Sequence, residues 1–215
     1  MHIAPEGWSN ILFVAGICTV IWIIYILKRR TTVIPGVVFT LLTLFTLFFF
    51  RDPQRVITPG DGLLLSPADG KVLGVTEYEF ADGREARMLS IFLSPLNVHV
   101  NRSAVSGIVE SVVYQPGKFF PAYKTEAAES NEMNVITIKC PGGTVVMRQV
   151  VGAAARRVVC NLEAGQQVTA GDRIGIMKFG SRMDLILPDN VEIKVKNGQA
   201  VKAGQTIIGE WLENH

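Results

Sequence analysis

Two uncharged apolar runs near the N-terminus constrain this chain more than any other feature. Residues 11–27 (ILFVAGICTVIWIIYIL) and 33–50 (VIPGVVFTLLTLFTLFFF) are separated only by KRRTT. As helices rising about 1.5 Å per residue, each covers roughly 25–27 Å, slightly less than a hydrocarbon core of about 30 Å. Both are apolar on every face and lack the polar stripe of a helix lying on a soluble domain. A cleaved signal peptide carries positive charge before its apolar stretch. Here Glu6 precedes the first run, and Lys28, Arg29 and Arg30 follow it. The reading is a retained anchor in residues 1–50, of one or two hydrophobic helices, ahead of a domain formed by residues 51–215.

The positive-inside rule puts Lys28, Arg29 and Arg30 in the cytoplasm and, if both runs cross, the large domain outside. Arg51 and Arg55, just after the second run, argue for a cytoplasmic domain. Pro35-Gly36 weakens the start of the second run, which allows that run to lie in the interface instead of crossing. The expectation carried forward is the cell (inner) membrane, with the large domain facing the cytoplasm.

The formal net charge is +2, from 21 Lys and Arg against 19 Asp and Glu. Residues 1–50 hold three of those bases and one acid, which leaves 18 against 18 in the rest of the chain. A neutral domain has no basic stripe with which to neutralise phosphates, so nucleic acid is excluded and a membrane surface favoured. Cys18, Cys140 and Cys160 have neither CxxC spacing nor an even count, and His99 is the only histidine away from the termini. No disulfide framework and no metal site is expected.

From residue 51 the pattern changes to short β-branched runs punctuated by Gly and Pro, among them GKVLGV, RMLSIFL, NVITIKC, TVVMRQVV and VEIKVK. This predicts a mostly β (α+β) domain. GQQVTAGDRIG (165–175) and GQAVKAGQTII (198–208) form an internal repeat through Gly165/Gly198, Val168/Val201, Ala170/Ala203, Gly171/Gly204 and Ile174/Ile207. Each copy reads as strand, tight turn, strand. By analogy of fold alone, this suits a flattened barrel or sandwich with β-hairpin repeats like those of lipoyl and biotinyl carrier domains.

Chemistry is carried first by KFGSRMDLILP (178–188), where Gly180-Ser181 precedes an apolar strand. A serine hydroxyl in a strained turn can attack the carbonyl of its own preceding peptide bond, and glycine there removes the Cβ that would obstruct it. The resulting ester can break by β-elimination, and the dehydroalanine formed hydrolyses to an N-terminal pyruvoyl group. A Gly-Ser pair alone is a commonplace loop, and Asp69-Gly70 in SPADGKV (66–72) is alone a turn signal. His99 lies in the alternating segment SPLNVHVNR (94–102). Together these motifs offer a carboxylate, an imidazole and a serine, a set able to activate a hydroxyl and steer protons.

FFRDPQR (49–55), SPADGKV, SPLNVHVNR, YQPGKFFPA (114–122), ESNEMN (129–134), GAAARR (152–157) and FGSRMDLILP (179–188) follow one another in order. This succession resembles the short, pyruvoyl-dependent phosphatidylserine decarboxylase proenzymes and covers nearly all of residues 49–215. The resemblance implies self-cleavage between Gly180 and Ser181 into chains of residues 1–180 and 181–215, which stay together as a heterodimer. Ser181 then becomes a covalent, self-generated pyruvoyl group, with no metal. Asp69, His99 and Ser181 resemble the self-processing triad, His99 helping Ser181 lose its proton and Asp69 orienting the imidazole. Longer relatives carry a second histidine three positions on, where this chain has Arg102, so His99 serves self-cleavage, the later proton transfer, or both. Tyr114, Lys118, Asn131 and Glu132 fall in matching motifs and are candidates to line the head-group pocket. The implied activity converts phosphatidylserine to phosphatidylethanolamine and CO₂ at the membrane, the ketone taking up the substrate amine and accepting the electron pair released on decarboxylation.

Two alternatives stand beside this. IMKF (176–179) next to the VxVxxGxxVxxG pattern suits a biotinyl or lipoyl carrier modified on Lys178, although Phe179 replaces the usual second Met and residues 51–120 go unexplained. A decarboxylase acting on an ether-linked serine phospholipid stays within the same chemistry. Chain preference and oligomeric state, a homo-oligomer included, are left open by the sequence.

Overall fold

The computed structural model describes residues 2–28, 33–80, 82–124, 126–153, 158–178 and 180–212. The chain forms two compact units, Met1–Gln54 and Arg55–His215.

In the first unit, α1 (Trp8–Lys28) and α2 (Val33–Phe49) make a helical hairpin, closed by pairing of β1 (His2–Ile3) with β2 (Arg51–Asp52). Pro35 falls in the first turn of α2, where its missing N–H has no helical partner to lose, so the helix is not broken there. At Gly36 a Cβ would lie 3.0 Å from the Trp22 ring, so glycine lets the helices close, and the Trp22 indole donates to Thr40 Oγ1 at 3.1 Å. Among the described residues one helix, Pro5–Leu27, is long and apolar enough to cross a membrane, whereas α2 at 17 residues is shorter. Leu12, Phe13, Ile26, Leu41 and Leu44 are exposed.

The second unit is mostly β. Its elements are β3 (Leu63–Leu65), β4 (Gly70–Glu79), β5 (Glu85–Leu93), β6 (Val100–Arg102), β7 (Gly107–Gln115), α3 (Ala127–Ser130), β8 (Met133–Cys140) and β9 (Gly143–Val151). There follow β10 (Val158–Cys160), β11 (Gln167–Val168), β12 (Arg173–Met177), β13 (Ser181–Leu187), β14 (Val191–Ile193), β15 (Ala200–Val201) and β16 (Ile207–Trp211). An eight-stranded sheet runs β11-β7-β8-β9-β13-β5-β4-β15, and two three-stranded sheets run β10-β12-β6 and β14-β16-β3. The large sheet curls, and Leu64, Ile91, Val109, Ile136, Ile174 and Leu185 fill the core. Each such side chain contributes about 1.5–3 kcal/mol by leaving water.

The sheet order is symmetric about the β9–β13 seam: β8 answers β5, β7 answers β4, and β11 answers β15. The repeat at 165–175 and 198–208 lies within this symmetry, but its strands are not hairpins. β11 and β15 cap opposite edges of the large sheet, while β12 and β16 are the middle strands of the small sheets. Left-handed turns at Gly171 (φ +91) and Gly204 (φ +70) swing each copy from one sheet to another, which corrects the carrier-like hairpins expected from the sequence. The amides of these glycines donate to Ser103 and Ser66 carbonyls, both at 2.8 Å.

A second repeat accompanies it, SPADGKV (66–72) answering SAVSGIV (103–109). Ser66 Oγ donates to the Ala68 carbonyl at 2.7 Å and Ser103 Oγ to that of Val105 at 2.6 Å. A Cβ on Gly70 would lie 2.3 Å from the Phe92 carbonyl oxygen, and one on Gly107 2.4 Å from that of Lys139. The second unit is therefore two similar halves joined along β9 and β13.

Candidate active site

Ser181 opens β13 at the seam between the halves. Its neighbours in register are Leu93 on β5 and Val151 on β9, so backbone strands hold it on both sides. The side chain is fully buried, and Oγ has no hydrogen-bond partner among the described residues. A buried hydroxyl without a partner costs about 1–3 kcal/mol, and such costs persist where chemistry needs the group free. Gly180 before it has φ +66, a conformation open to glycine and strained for other residues. Phe179 of the same motif, and Ala154–Arg157 of the GAAARR motif, lie outside the described residues.

The Gly180 carbonyl is packed directly on Gly152. A Cβ at position 152 would lie 2.3 Å from the Gly180 carbonyl oxygen and 3.1 Å from Ala122 Cβ. Gly152 thus fixes where the carbonyl that Ser181 would attack can sit. Gly152→Ala is expected to displace it and slow chain cleavage by about 10²-fold, the usual cost of moving a reacting group by about 1 Å. The time course of uncut chain on a denaturing gel checks this, and cleavage at the unsubstituted rate would mean that the carbonyl's seat is immaterial.

His99 precedes β6 and is fully buried. Its carbonyl accepts the amide of Met177 at 3.2 Å, tying it to the end of β12, four residues before Ser181. Nδ1 lies 3.0 Å from the Asn97 carbonyl oxygen. A carbonyl only accepts, so Nδ1 carries the proton and, in the neutral ring, Nε2 is the basic nitrogen. Asn97 is itself locked, its Oδ1 accepting from the amide and hydroxyl of Ser94 at 2.9 and 2.8 Å.

Asp69 lies beside this strand, because the Arg102 amide donates to the Pro67 carbonyl at 2.9 Å. Its Oδ2 takes Arg55 Nη2 at 2.7 Å and its Oδ1 takes the Ala203 amide at 2.9 Å. Among the described residues the partner of His99 Nδ1 is the Asn97 carbonyl. In the other half of the unit Ser106 occupies the place of Asp69, its Oγ accepting the Ala170 amide at 2.9 Å. A hydroxyl is enough to anchor that turn, so the Asp69 carboxylate and its Arg55 partner exceed what the fold needs. Arg102 donates from Nη1 to the Gly171 carbonyl at 2.8 Å, bracing the turn of the first repeat.

A family model described as phosphatidylserine decarboxylase matches residues 42–209. The chain is 44% identical over 212 residues to a phosphatidylserine decarboxylase proenzyme of Chlorobaculum tepidum, covering 98% of each. It is 42% identical to the proenzyme of Desulfotalea psychrophila, over 81% of this chain and 83% of the relative. With that of Salinibacter ruber the identity is 45%, over 77% of this chain and 75% of the relative.

The chain belongs to the phosphatidylserine decarboxylase family.

In this decarboxylase Tyr114, Lys118 and Glu132 rim one end of the large sheet, beside the segment that links β7 to β8. Tyr114 is exposed, and its hydroxyl is pushed above the usual phenol range by partial desolvation and by the Glu132 carboxylate. The Lys118 ammonium lies 5.7 Å from the centre of the Phe120 ring. Asn131 differs from the pocket-lining role the sequence suggested. It is 1% exposed, its Oδ1 accepts the Phe120 amide at 2.8 Å, and its Nδ2 donates to the carbonyls of Phe120 and Val151 at 2.8 and 2.7 Å. Its hydrogen bonds are spent on holding the backbone.

Sequence reasoning missed the charged cluster directly after Ser181. Arg182 Nε pairs with Asp184 Oδ1, Arg182 Nη2 donates to Ser90 Oγ at 2.7 Å, and Arg148 Nη2 lies 3.2 Å from Asp184 Oδ2. All three charged groups are buried and bind β13 to β5 and β9 on the face away from Ser181. The R-x-D spacing in SRMDLIL was the available signal. Lys178, the attachment site of the carrier alternative, is half-buried in the link between β12 and β13, which lie in different sheets, and not at a hairpin tip. No group of three metal-ligating side chains occurs among the described residues. Burial pushes the Cys140 thiol up to about 11, so this cysteine is unreactive at neutral pH.

Proposed function

We propose that this decarboxylase is made as a proenzyme that cuts itself between Gly180 and Ser181, and that residue 181 then carries the pyruvoyl group with which it converts phosphatidylserine to phosphatidylethanolamine and CO₂. The observation that carries the reading is the buried, partnerless Ser181 hydroxyl behind a left-handed glycine whose carbonyl is seated on Gly152. Ser181 Oγ adds to the Gly180 carbonyl carbon while His99 Nε2 takes the hydroxyl proton and returns it to the Ser181 nitrogen as the C–N bond breaks, giving an ester and a free amine. Loss of the Ser181 α-proton expels the Gly180 carboxylate, and hydrolysis of the resulting dehydroalanine releases ammonia and leaves the ketone. The site fits a small, uncharged keto acid amide, since position 181 is enclosed by β5 and β9 and has no charged side chain on its own face of β13. Such a group supplies an electron sink for the pair left when the carboxylate departs. Around it, Asn97 fixes the His99 tautomer and the Asp69–Arg55 pair holds the neighbouring turn.

The cut chains stay assembled because β13 is hydrogen-bonded into the middle of the large sheet, β15 pairs with β4 at its edge, and β16 pairs with β3 in a small sheet. Membrane association rests on the α1–α2 hairpin, whose exposed leucines, isoleucines and phenylalanines suit lipid. A cytoplasmic-facing position at the cell membrane completes the proposal.

The test uses purified protein and phosphatidylserine labelled in the serine carboxyl. Labelled CO₂ and phosphatidylethanolamine should form in equal amounts, and pretreatment with phenylhydrazine, a carbonyl reagent, should stop both. Activity unaffected by carbonyl reagents would contradict the pyruvoyl assignment.

A further inference from the structure

The connection between β7 and β8 is where the two halves of the catalytic unit differ most. In one half, β4 and β5 are joined by residues 80–84, turned by the Gly83 amide donating to the Phe80 carbonyl at 2.9 Å. In the other, β7 and β8 are joined by residues 116–132. The fold closes with the short connection, so the extra length serves something else, and it lies at the end of the sheet where β13 begins.

The two ends of this connection are tied together by hydrogen bonds. Asn131 clamps both the amide and the carbonyl of Phe120, and the Lys118 amide donates to the Ser130 carbonyl at 2.7 Å while its own carbonyl accepts the Glu132 amide at 3.1 Å. A Cβ on Gly117 would lie 2.4 Å from the Asn131 carbonyl carbon, so glycine is needed for that approach. On its inner side Ala122 is buried and shares a wall with the Gly180 carbonyl, both meeting at Gly152. On its outer side Phe119, Phe120 and Tyr123 are 41%, 37% and 59% exposed, with Leu96 of the neighbouring SPLN turn at 66%. Aromatic rings fixed in water beside a fully buried reacting residue are costly unless something covers them.

We propose that Phe119, Phe120, Tyr123 and Leu96 form a docking surface that enters the head-group region of a lipid leaflet and hands the serine head group inward past Ala122 to residue 181. This rests on the decarboxylase reading, in which the substrate keeps its acyl chains in the bilayer. Phe, Tyr and Leu side chains bury at that depth, and Lys118 and Lys124 are outnumbered by Glu126, Glu129 and Glu132, so apolar burial and not charge attraction drives the docking. The two elements divide the work: α1 tethers the enzyme, and the loop presents the reacting centre to the lipid.

The test is the full-length, self-cleaved protein with Phe119→Ser and Phe120→Ser together, compared with the unsubstituted protein on two substrates. One is long-chain phosphatidylserine in vesicles, and the other is a short-chain phosphatidylserine kept monomeric below its micelle concentration. The expected result is complete self-cleavage, kcat/KM on vesicles reduced by about tenfold or more, and kcat/KM on the monomeric substrate changed less than twofold. Equal losses on both substrates would overturn the proposal in favour of direct contact with the head group. No loss on either, or a shift in oligomeric state by size-exclusion chromatography, would also overturn it. If the unsubstituted protein decarboxylates neither substrate, it is the function reading that fails. As an independent readout, Phe120→Trp should add an emission component, relative to the unsubstituted protein, that is quenched by lipids brominated high on the acyl chain. An added component insensitive to those lipids contradicts docking.

Discussion

Ser181→Ala is expected to yield a single uncut chain with no CO₂ release above background. The substitution removes both the nucleophile that opens the Gly180–Ser181 bond and the atoms from which the ketone is made, so no other side chain can restore either. It is expected to raise stability. Ser181 Oγ is buried without a partner, and removing such a group recovers about 1–3 kcal/mol. For a domain of this size each kcal/mol corresponds to about 2–4 °C, so the uncut alanine variant should melt several degrees above an uncut variant that keeps the serine. Calorimetry and the CO₂ assay read the two halves of this prediction. An alanine variant that is inactive but less stable would mean that the Ser181 hydroxyl has a structural partner after all.

His99→Gln supplies that uncut reference and is the second large effect. Glutamine can still meet the Asn97 carbonyl with its side-chain NH₂, but it has no basic nitrogen to take the Ser181 proton. General-base assistance is typically worth 10²–10⁴-fold, so self-cleavage should slow by about that factor and uncut chain should accumulate. With Nδ1 held protonated by Asn97, the base is the neutral ring, so cleavage by the unsubstituted chain should slow as pH falls and the imidazole becomes charged. The glutamine variant should lose this acid limb. Cleavage of His99→Gln at the normal rate, with the pH profile unchanged, would remove His99 from the proton path.

Much of the site was legible in the sequence because the chemistry demands particular residues at fixed places. Gly180-Ser181 before an apolar run announced the strand that Ser181 opens, and the structure puts the segments of His99 and Asp69 side by side, which spacing alone does not show. What escaped was contact that spacing cannot show. The Gly152 seat for the Gly180 carbonyl joins residues from β9's end and β13's start, and nothing local marks it. The repeat at 165–175 and 198–208 was readable, but its strands part to different sheets because left-handed glycines redirect the chain between them. The companion repeat SPADGKV/SAVSGIV went unread because Asp69 has diverged to Ser106 and Lys71 to Ile108, leaving the serines, glycines and valines that the backbone needs. Asn131 looked like a binding residue because it is polar and lies in a distinctive motif, yet burial gives it to the loop backbone. Arg182 and Asp184 would be solvent-facing by simple strand alternation. Tyr78, Phe80 and Met88 pack over the outer face beside Ile186 and Arg148, so both faces of β13 are buried.

On the proposed function this chain makes its own reactive group by breaking the bond before Ser181. The direct measurement is the intact mass of the purified, denatured protein. Two chains are expected, residues 1–180 and a 35-residue chain from 181 to 215, with residue 181 as a pyruvoyl that blocks Edman degradation. A single uncut polypeptide that decarboxylates phosphatidylserine, or a small chain beginning with an ordinary serine, would contradict it.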